Sequence, residues 1–347
     1  MILSNILFKA TIFLLQINES WQKYEWKECS STTAKCNRFN EPPLVVLSLV
    51  GFRNGYLDKK IVKTLDYLAD CGAKAKHVYP SYPSKTLPNQ YTMVTGLYPE
   101  SHGIVDNQVY DTFMKEFSSV DVLGAGRFYG DRLEDIVNNL EKEKDKVPGL
   151  IIAHHDELDM TGHLNIKNET AMNEVLQKLD DEIDAFINKL YQKGILDCIN
   201  LVIVSDHGMQ PISVKVDISK HFVPEDSTNF FIINNTIGSV HNISASQVPR
   251  FYNQLACEIP NVTVYNKKTI PTRKHYSSHR SIGDLILEGN PGVTFGEPPE
   301  RRQGDHGYDF VQKNMHAIFV GRGPSFKKGV IVEPFQNVQL MNLWIDL

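Results

Sequence analysis

Three short, continuous apolar runs constrain the fold of this chain more than any other feature of its sequence. They are LVVLSLV (Leu44–Val50), GLIIAHHD and NLVIVSDHG, and each predicts a buried strand. Helical periodicity extends from Lys59 to Ala69 and from Thr170 to Gln192, and FFIINN, VTVYN and HAIFVGRG are further strand candidates. Strands that alternate with helices predict an α/β fold with a largely parallel central sheet covered by helices on both faces.

Composition excludes several classes of function. The chain has 347 residues, enough for one large α/β domain or two smaller ones. Its net charge of −5 argues against a protein that binds a nucleic-acid duplex through a broad basic surface. No run approaches the roughly 18 apolar residues of a membrane span. An anionic substrate would therefore need local cations or metal ions.

The polarity of the chain changes at residue 43, and we expect an N-terminal segment (1–43) followed by one catalytic domain (44–347). Lys9 precedes a short apolar run, Ala10–Ile17, which is near the lower size limit of a signal-peptide core and lacks a small-residue cleavage site. A weak signal sequence and a partly buried amphipathic segment both fit this pattern. Residues 18–43 are polar and carry two cysteines.

Cysteines and glycosylation sequons favour an extracellular protein that carries disulfides and N-glycans. The chain has 5 cysteines, so at least one thiol lacks an intrachain partner. The sequons begin at Asn18, Asn168, Asn234, Asn242 and Asn261.

The stretch SKTLPNQY (Ser84–Tyr91) predicts the start of a helix, because proline suits the first helical turn. Thr86 or Leu87 would lie at or beside the N-cap, where free N–H groups and the helix dipole favour negative charge. Two interpretations of Thr86 follow: its hydroxyl caps the helix, or it attacks an anionic group.

Carboxylate and imidazole side chains occur together in three loops. Two of the loops directly follow predicted strands, where ligands gather in open α/β sheets. Mixed oxygen and nitrogen donors suit Zn²⁺ better than Ca²⁺ or Mg²⁺, which prefer oxygen ligands. The candidate ligands are Asp159 and His163 in HDELDMTGH, Asp206 and His207 in SDHGM, and His306 in GDHGYD.

Four motifs together closely resemble the ectonucleotide pyrophosphatase/phosphodiesterase family of the alkaline-phosphatase superfamily. They are PSKTLPNQYTMVTGLYPESHGIVDN, SDHGM, RSIGDLI and GDHGYD, and the resemblance extends over residues 29–347. It implies an alkaline-phosphatase-like fold and hydrolysis of phosphodiester or pyrophosphate bonds in nucleotides or phospholipids. It also implies two zinc ions and a threonine nucleophile.

The resemblance assigns a role to each candidate residue by its position. Thr86 is similar to the nucleophile, and Asn107 resembles the asparagine that holds the phosphoryl oxygen, with Leu87 beside it in the substrate site. Asp159, His163 and His306 resemble the ligands of one zinc ion, and Asp206, His207 and Thr86 those of the other. Disulfides Cys29–Cys71 and Cys36–Cys198 are also implied, with Cys257 left over.

Two departures from the family bear on activity. The family motif S-x-D-G-F-R appears here as SLVGFR, so Val50 replaces an aspartate that binds the second zinc, and that site is weakened. After VDNQVYD the family carries several tens of residues that line the leaving-group pocket, whereas here VDVLGAGRFYGDRLEDIVNNL leads almost directly into the next helix. Two hypotheses follow: a zinc-dependent phosphodiesterase acting on a small diester or nucleotide, or a catalytically impaired relative that binds a ligand or partner.

Overall fold

The fold was analysed in a computed structural model, which describes residue 29 and residues 36–111, 116–119, 129–222, 230–296 and 301–347. Three features of the sequence lie outside these residues. They are the apolar run Ala10–Ile17, the sequon at Asn18, and residues 120–128, with which the shortened segment begins.

The described part of the chain contains short strands and a few longer helices. The strands are β1 Leu44–Leu49, β2 Ala73–Ala75, β3 Val78–Tyr79, β4 Gln108–Asp111, β5 Glu116–Ser119, β6 Leu150–His155, β7 Asn200–Val204, β8 Gln210–Pro211, β9 Val214–Val216, β10 Phe231–Ile233, β11 Ile237–His241, β12 Val262–Asn266, β13 Leu285–Gly289, β14 Val293–Phe295, β15 Gly304–Asp305, β16 Phe319–Arg322, β17 Val330–Val332 and β18 Phe335–Gln336. The α-helices are α1 Lys63–Asp70, α2 Thr86–Thr95, α3 Pro99–His102, α4 Tyr129–Leu140, α5 Glu157–Asn165, α6 Glu169–Gln192, α7 Val248–Leu255 and α8 Leu340–Asp346.

The three apolar runs form the centre of a six-stranded sheet of order β17-β2-β16-β7-β1-β6. Strand β1 pairs in parallel with both β6 and β7, while β16 pairs antiparallel with β7 and β2. Strand β17 pairs in parallel with β2. The sheet is therefore mixed and mostly parallel, and the predicted α/β class is confirmed.

Helices cover both faces of this sheet. On one face, apolar side chains of α1, α4 and α6 pack on the strands, with Leu65, Ile136 and Leu179 among the buried residues. On the other face, α2 and α8 contribute Met93 and Leu340. None of the helices in the described residues is long and apolar enough to cross a bilayer.

The predicted helix Lys59–Ala69 is two elements in the structure. A 3₁₀ helix, Asn54–Lys59, ends where Lys60 adopts a left-handed backbone conformation (φ 56°), and α1 begins only at Lys63. An α-helix cannot continue through a left-handed residue, so the single periodic stretch is interrupted there.

A second sheet of order β10-β11-β13-β12 is entirely antiparallel and was not predicted. Its apolar core includes Val240, Phe251, Leu287 and Phe295, with Phe251 supplied by α7. The sheet lies in the sequence between the SDHGM and GDHGYD motifs, so it carries the chain from one part of the candidate site to the other.

The cysteine pairing implied by the family resemblance is confirmed. Cys29 bonds to Cys71 and Cys36 to Cys198, across sequence separations of 42 and 162 residues. Cys257 is free and exposed. The two bonds attach the N-terminal segment to the end of α1 and to the start of β7.

A buried ion cluster links the second sheet to the loop of His306. Lys274 is 1% exposed, and its Nζ lies 2.6 Å from Glu288 Oε1 on β13 and 2.6 Å from Asp309 Oδ2. Arg273 pairs with the same carboxylate, its Nη1 donating to Asp309 Oδ1 at 2.9 Å. Burial tends to raise the pKa of Asp309, but the Arg273 hydrogen bond and the Lys274 charge outweigh it and lower the pKa to about 2.

We expect Asp309→Asn to destabilise the fold by about 2 kcal/mol at neutral pH, because a pKa lowered by nearly two units stabilises the folded state by that amount. The folded pKa is depressed, so the stabilisation is present above the unfolded value near 3.8 and is lost as the pH falls towards about 2. Denaturant unfolding of both proteins from pH 7 to pH 3 measures this difference. Asp145→Asn, at an exposed position, is the control and should leave the free energy of unfolding unchanged. If Asp309→Asn lowers the free energy of unfolding by the same amount at every pH, that result contradicts the argument.

Candidate active site

Three parallel strands end at one edge of the central sheet, and polar residues follow two of them, β6 and β7. Strand β6 leads into α5, which carries Asp159 and His163 one turn apart. Strand β7 leads to Asp206 and His207, and β1 leads to Val50. Because carboxyl ends of neighbouring parallel strands lie side by side, these loops converge.

Thr86 is the first residue of α2, and Lys85 is the N-cap without a capping side-chain bond. The Thr86 hydroxyl is directed away from the backbone amides, with Oγ1 3.0 Å from Nε2 of His207. The geometry therefore favours the second interpretation of Thr86: the hydroxyl faces the candidate ligands and does not cap the helix. The N–H groups of the first helical turn remain available to an anion.

Hydrogen bonds to carbonyl oxygens fix the orientation of all three histidines. Nδ1 of His163 lies 2.9 Å from Gly304 O, Nδ1 of His207 lies 2.8 Å from Gly208 O, and Nδ1 of His306 lies 2.9 Å from Ser84 O. Since a carbonyl oxygen only accepts, each Nδ1 carries a proton, and Nε2 is the ring nitrogen that can bind a metal ion when the imidazole is neutral. This arrangement is typical of histidines that bind metals through Nε2.

The spacing around Asp159 is compatible with a bound metal ion. Its Oδ2 lies 3.2 Å from His163 Nε2, and its Oδ1 lies 3.8 Å from His306 Nε2. Donors bonded to tetrahedral zinc at about 2.0–2.1 Å lie roughly 3.3 Å apart. Asp159 Oδ1 is buried without a hydrogen-bond partner, as expected of a ligand atom. Asp159 thus contacts both His163 and His306, but the compact ligand group that contains Asp159 is completed by His207 and His306, and not by His163.

Electrostatics keep these groups in the ligand form. Burial raises the pKa of Asp159, but the hydrogen bond and charge that the protonated form of His163 provides outweigh it, so the pKa of Asp159 lies below the usual value. Burial, followed by the charges of His207 and Lys85, lowers the pKa of His306 well below its usual value. At neutral pH the aspartate is therefore ionised and the imidazole neutral, as metal binding requires.

His207 is shared between the two expected metal sites. Its ring stacks on that of His306 with 3.7 Å between centroids. Asp159, His207 and His306 form one compact group of ligand atoms, and His163, Asp305 and His306 form another. In the described residues, Asp206 belongs to neither group. The set Asp206, His207 and Thr86 is thus brought to one place, but without the compact arrangement seen around His306.

Asp206 is completely buried and is engaged by the protein. Its Oδ1 accepts the backbone N–H groups of Gly51 and His207 at 3.1 and 2.9 Å. Its Oδ2 accepts the side-chain amide of Gln90 at 3.1 Å. Val50, 2% exposed, follows β1 beside this carboxylate and has no donor atom. The residues present therefore offer a second metal ion an incomplete set of ligands.

Asn107 supports the start of α2 on the side of the substrate. Its Oδ1 accepts the N–H of Leu87 at 2.9 Å, and its own N–H donates to Asp106 Oδ1. With the amide oxygen engaged, the Nδ2 group is the part of Asn107 that can donate to a phosphoryl oxygen next to Thr86. Leu87 itself is 7% exposed, so it offers the site its backbone and little side-chain surface.

Sequence reasoning missed a group of charged residues next to His163 and His306, one of which, Asp305, belongs to a compact group of ligand atoms with them. Asp305 is 3% exposed, lies 3.5 Å from Lys85 Nζ and accepts from Arg302 Nη2 at 2.9 Å. Arg302 Nη2 also lies 3.3 Å from His163 Nε2. The signal available was the acid directly before His306. Gln90 was missed as well, although it lies one helical turn after Thr86 and hence on the same side of α2.

One family model matches most of the chain. The family model described as type I phosphodiesterase / nucleotide pyrophosphatase matches residues 44–122 and 120–309. The two matched stretches overlap at residues 120–122, at the start of the stretch in which a shortened segment is expected from the sequence.

Several curated relatives align with nearly the whole chain. An ectonucleotide pyrophosphatase/phosphodiesterase of Caenorhabditis elegans is 37% identical over 378 positions, covering 94% of this chain and 49% of the relative. Human ectonucleotide pyrophosphatase/phosphodiesterase family member 1 is 30% identical, covering 89% and 40%. The venom phosphodiesterase of Macrovipera lebetinus is 30% identical, covering 94% and 45%.

The chain spans about half the length of the curated relatives that it matches. The family model, in contrast, matches well over half of this chain and includes every candidate site residue. With its mostly parallel α/β sheet and the convergence of Thr86, Asn107 and the aspartate–histidine pairs, the chain belongs to the type I phosphodiesterase / nucleotide pyrophosphatase family.

Proposed function

We propose that this chain hydrolyses phosphodiester or pyrophosphate bonds in nucleotides, or phospholipid-like diesters, with Thr86 as the nucleophile. The observation that carries the proposal is the position of the Thr86 hydroxyl, at a helix N-terminus and 3.0 Å from Nε2 of His207. A threonine hydroxyl is a weak nucleophile unless its proton is accepted by a neighbouring group or its oxygen is bound by a metal.

The residues around Thr86 have two roles in the proposed reaction: they orient the Thr86 hydroxyl, and they stabilise negative charge on the phosphoryl group. Nε2 of His207 accepts the hydrogen bond from Oγ1, which directs a lone pair of that oxygen towards the substrate. The N-terminal turn of α2 and the Asn107 amide stabilise negative charge on the phosphoryl oxygens. Asp106 holds the backbone of Asn107 in place through its N–H.

We further propose a zinc ion held by Asp159, His163 and His306, with a weakened second site at Asp206, His207 and Thr86. When bound, zinc supplies charge stabilisation for the phosphoryl group and lowers the pKa of a coordinated oxygen. Three protein ligands leave an open position, as in catalytic zinc sites. The oriented Nε2 atoms and the unpartnered Asp159 Oδ1 support this assignment.

The second candidate function is a catalytically impaired family member that binds a ligand or partner through the same site. Val50 is the observation that favours it, because a buried valine stands where the family has a metal-ligand aspartate. The shortened segment that follows residue 119 favours it too, since the family resemblance implies that the missing residues line the leaving-group pocket. Turnover of a generic substrate distinguishes the two functions.

We propose that residues 44–347 form the catalytic unit and that it acts outside the cell on small-molecule substrates. The two disulfides support an oxidising compartment. In the described residues, the asparagines of four sequons are exposed and accessible to glycosylation: Asn168, Asn234, Asn242 and Asn261. The names of the relatives, which include an ecto-enzyme and a venom enzyme, also support this location.

We expect Thr86→Ala to reduce turnover of an aryl phosphodiester by about a thousandfold or more, because the attacking oxygen is removed. Thr95→Ala, on the exposed end of the same helix, is the matched control and should retain full activity. Initial rates with purified protein measure both. An unchanged rate in Thr86→Ala would exclude the nucleophile, and an inactive parent protein would favour the second function.

We expect the purified protein to contain about one zinc ion per chain and His306→Ala to contain almost none, because removing one of three ligands leaves an incomplete site. His275→Ala, a partly exposed histidine stacked on Tyr98, is the control and should keep the metal. Metal analysis after dialysis against a weak chelator gives the result. Zinc retained in His306→Ala would contradict the ligand assignment.

A further inference from the structure

The Asp206 carboxylate is compensated by the protein itself. It has no exposed surface, and three N–H donors, from Gly51, His207 and Gln90, engage its two oxygens at 2.9–3.1 Å. A buried carboxylate needs hydrogen bonds or a cation to offset the loss of water. Here hydrogen bonds from neutral groups fill that need.

Gln90 is held from two elements, so its amide is not free to turn away. Its backbone belongs to α2, one turn after Thr86, and its Nε2 lies 2.9 Å from Ser48 Oγ on β1. The same hydroxyl lies 3.3 Å from Gln90 Oε1. Ser48 is 2% exposed, so this contact is protected from water. The Ser48–Gln90–Asp206 chain of hydrogen bonds therefore connects the central strand to the nucleophile helix.

This chain of hydrogen bonds uses the Asp206 oxygen that the second metal site implied by the family resemblance would need. Oδ2 of Asp206 faces the candidate site, with His207 Nε2 3.5 Å away, and it already accepts the amide N–H of Gln90. Alternation along β1 puts position 50 on the same side of the strand as Ser48. Position 50 is the hydrophobic Val50, while position 48 supplies a hydroxyl that binds Gln90 and not a metal.

We propose that Gln90, oriented by Ser48, replaces the second metal ion as the partner of Asp206, so that the centre takes a single zinc ion. Asp206 is then a positioning residue that holds the turn at Gly51 and His207, and not a metal ligand. His207 is left to contact Thr86 and to border the single ion near His306. This inference rests on the proposed zinc site of the preceding subsection.

The proposal predicts that restoring the missing ligand is not enough to restore the second metal. Val50→Asp adds a carboxylate, but Oδ2 of Asp206 remains bound to Gln90. We expect about one zinc ion per chain in the parent protein and in Val50→Asp, and about two in Val50→Asp/Gln90→Ala. The second ion should bind about 10–100-fold more tightly in the double variant than in Val50→Asp, the range for changes in groups hydrogen-bonded to metal ligands.

Native mass spectrometry and zinc titration of the full chain measure these numbers without relying on activity. Val50→Asp/Gln177→Ala is the matched control, since Gln177 is an exposed helical glutamine far from the site in the sequence. It should behave as Val50→Asp. Two tightly bound zinc ions in the parent protein, or in Val50→Asp alone, would overturn the proposal.

A milder substitution tests the same point where a buried aspartate at position 50 prevents folding. In Asp206→Asn, Oδ1 still accepts from Gly51 and His207, and Gln90 accepts from the new amide after rotating its own. We expect this variant to bind the same single zinc ion with unchanged affinity. Loss of zinc binding in this variant would show that Asp206 is a ligand. If the parent protein binds no zinc, both the zinc assignment of the proposed function and the role of Gln90 are wrong. If the parent protein binds a second zinc ion, only the role of Gln90 is wrong.

Discussion

The parallel pairing of β1 with β6 on one side and β7 on the other is the constraint on which the site depends. Leu44 is in register with both Leu150 and Asn200, so the three strands reach the same edge of the sheet together. Val50 remains tied to this edge, since its N–H donates to His155 O at 2.8 Å. A shift of register in either pair would separate Asp206 from Gly51 and remove Asp159 from the histidines.

The sequence predicts the parts of the fold that depend on local pattern. The run Leu44–Val50 becomes Leu44–Leu49, and the helix predicted from Thr170 begins at Glu169. These elements are long or continuously apolar, so their periodicity is clear. The antiparallel sheet is different, because β10 has three residues and β11 and β13 pair across more than 40 positions of chain. Such pairing depends on distant contacts that no local pattern contains.

The sequence predicts those residues of the candidate site whose type has few common roles in proteins. It does not predict the residues whose type has many roles. An aspartate and a histidine at the ends of buried strands are plausible ligands, and Thr86 before a proline marks a helix start. Glutamine and serine have many roles, so Gln90 and Ser48 gave no signal. Asp305 and Arg302 also escaped notice, since a charged residue next to a histidine is common on a loop surface. Their importance comes from burial, which only the folded chain defines.

The Cys36–Cys198 disulfide has a consequence for the order in which the protein is made. At about 5–20 residues per second, synthesis takes on the order of ten seconds to proceed from Cys71 to Cys198. During that interval Cys29, Cys36 and Cys71 are all present, and any two of them can pair. If Cys36 bonds to Cys71 first, exchange with another thiol is needed before the native pairs can form. The bond that attaches the N-terminal segment to the start of β7 therefore forms only after the nascent chain has passed through a period in which incorrect cross-links compete with correct ones.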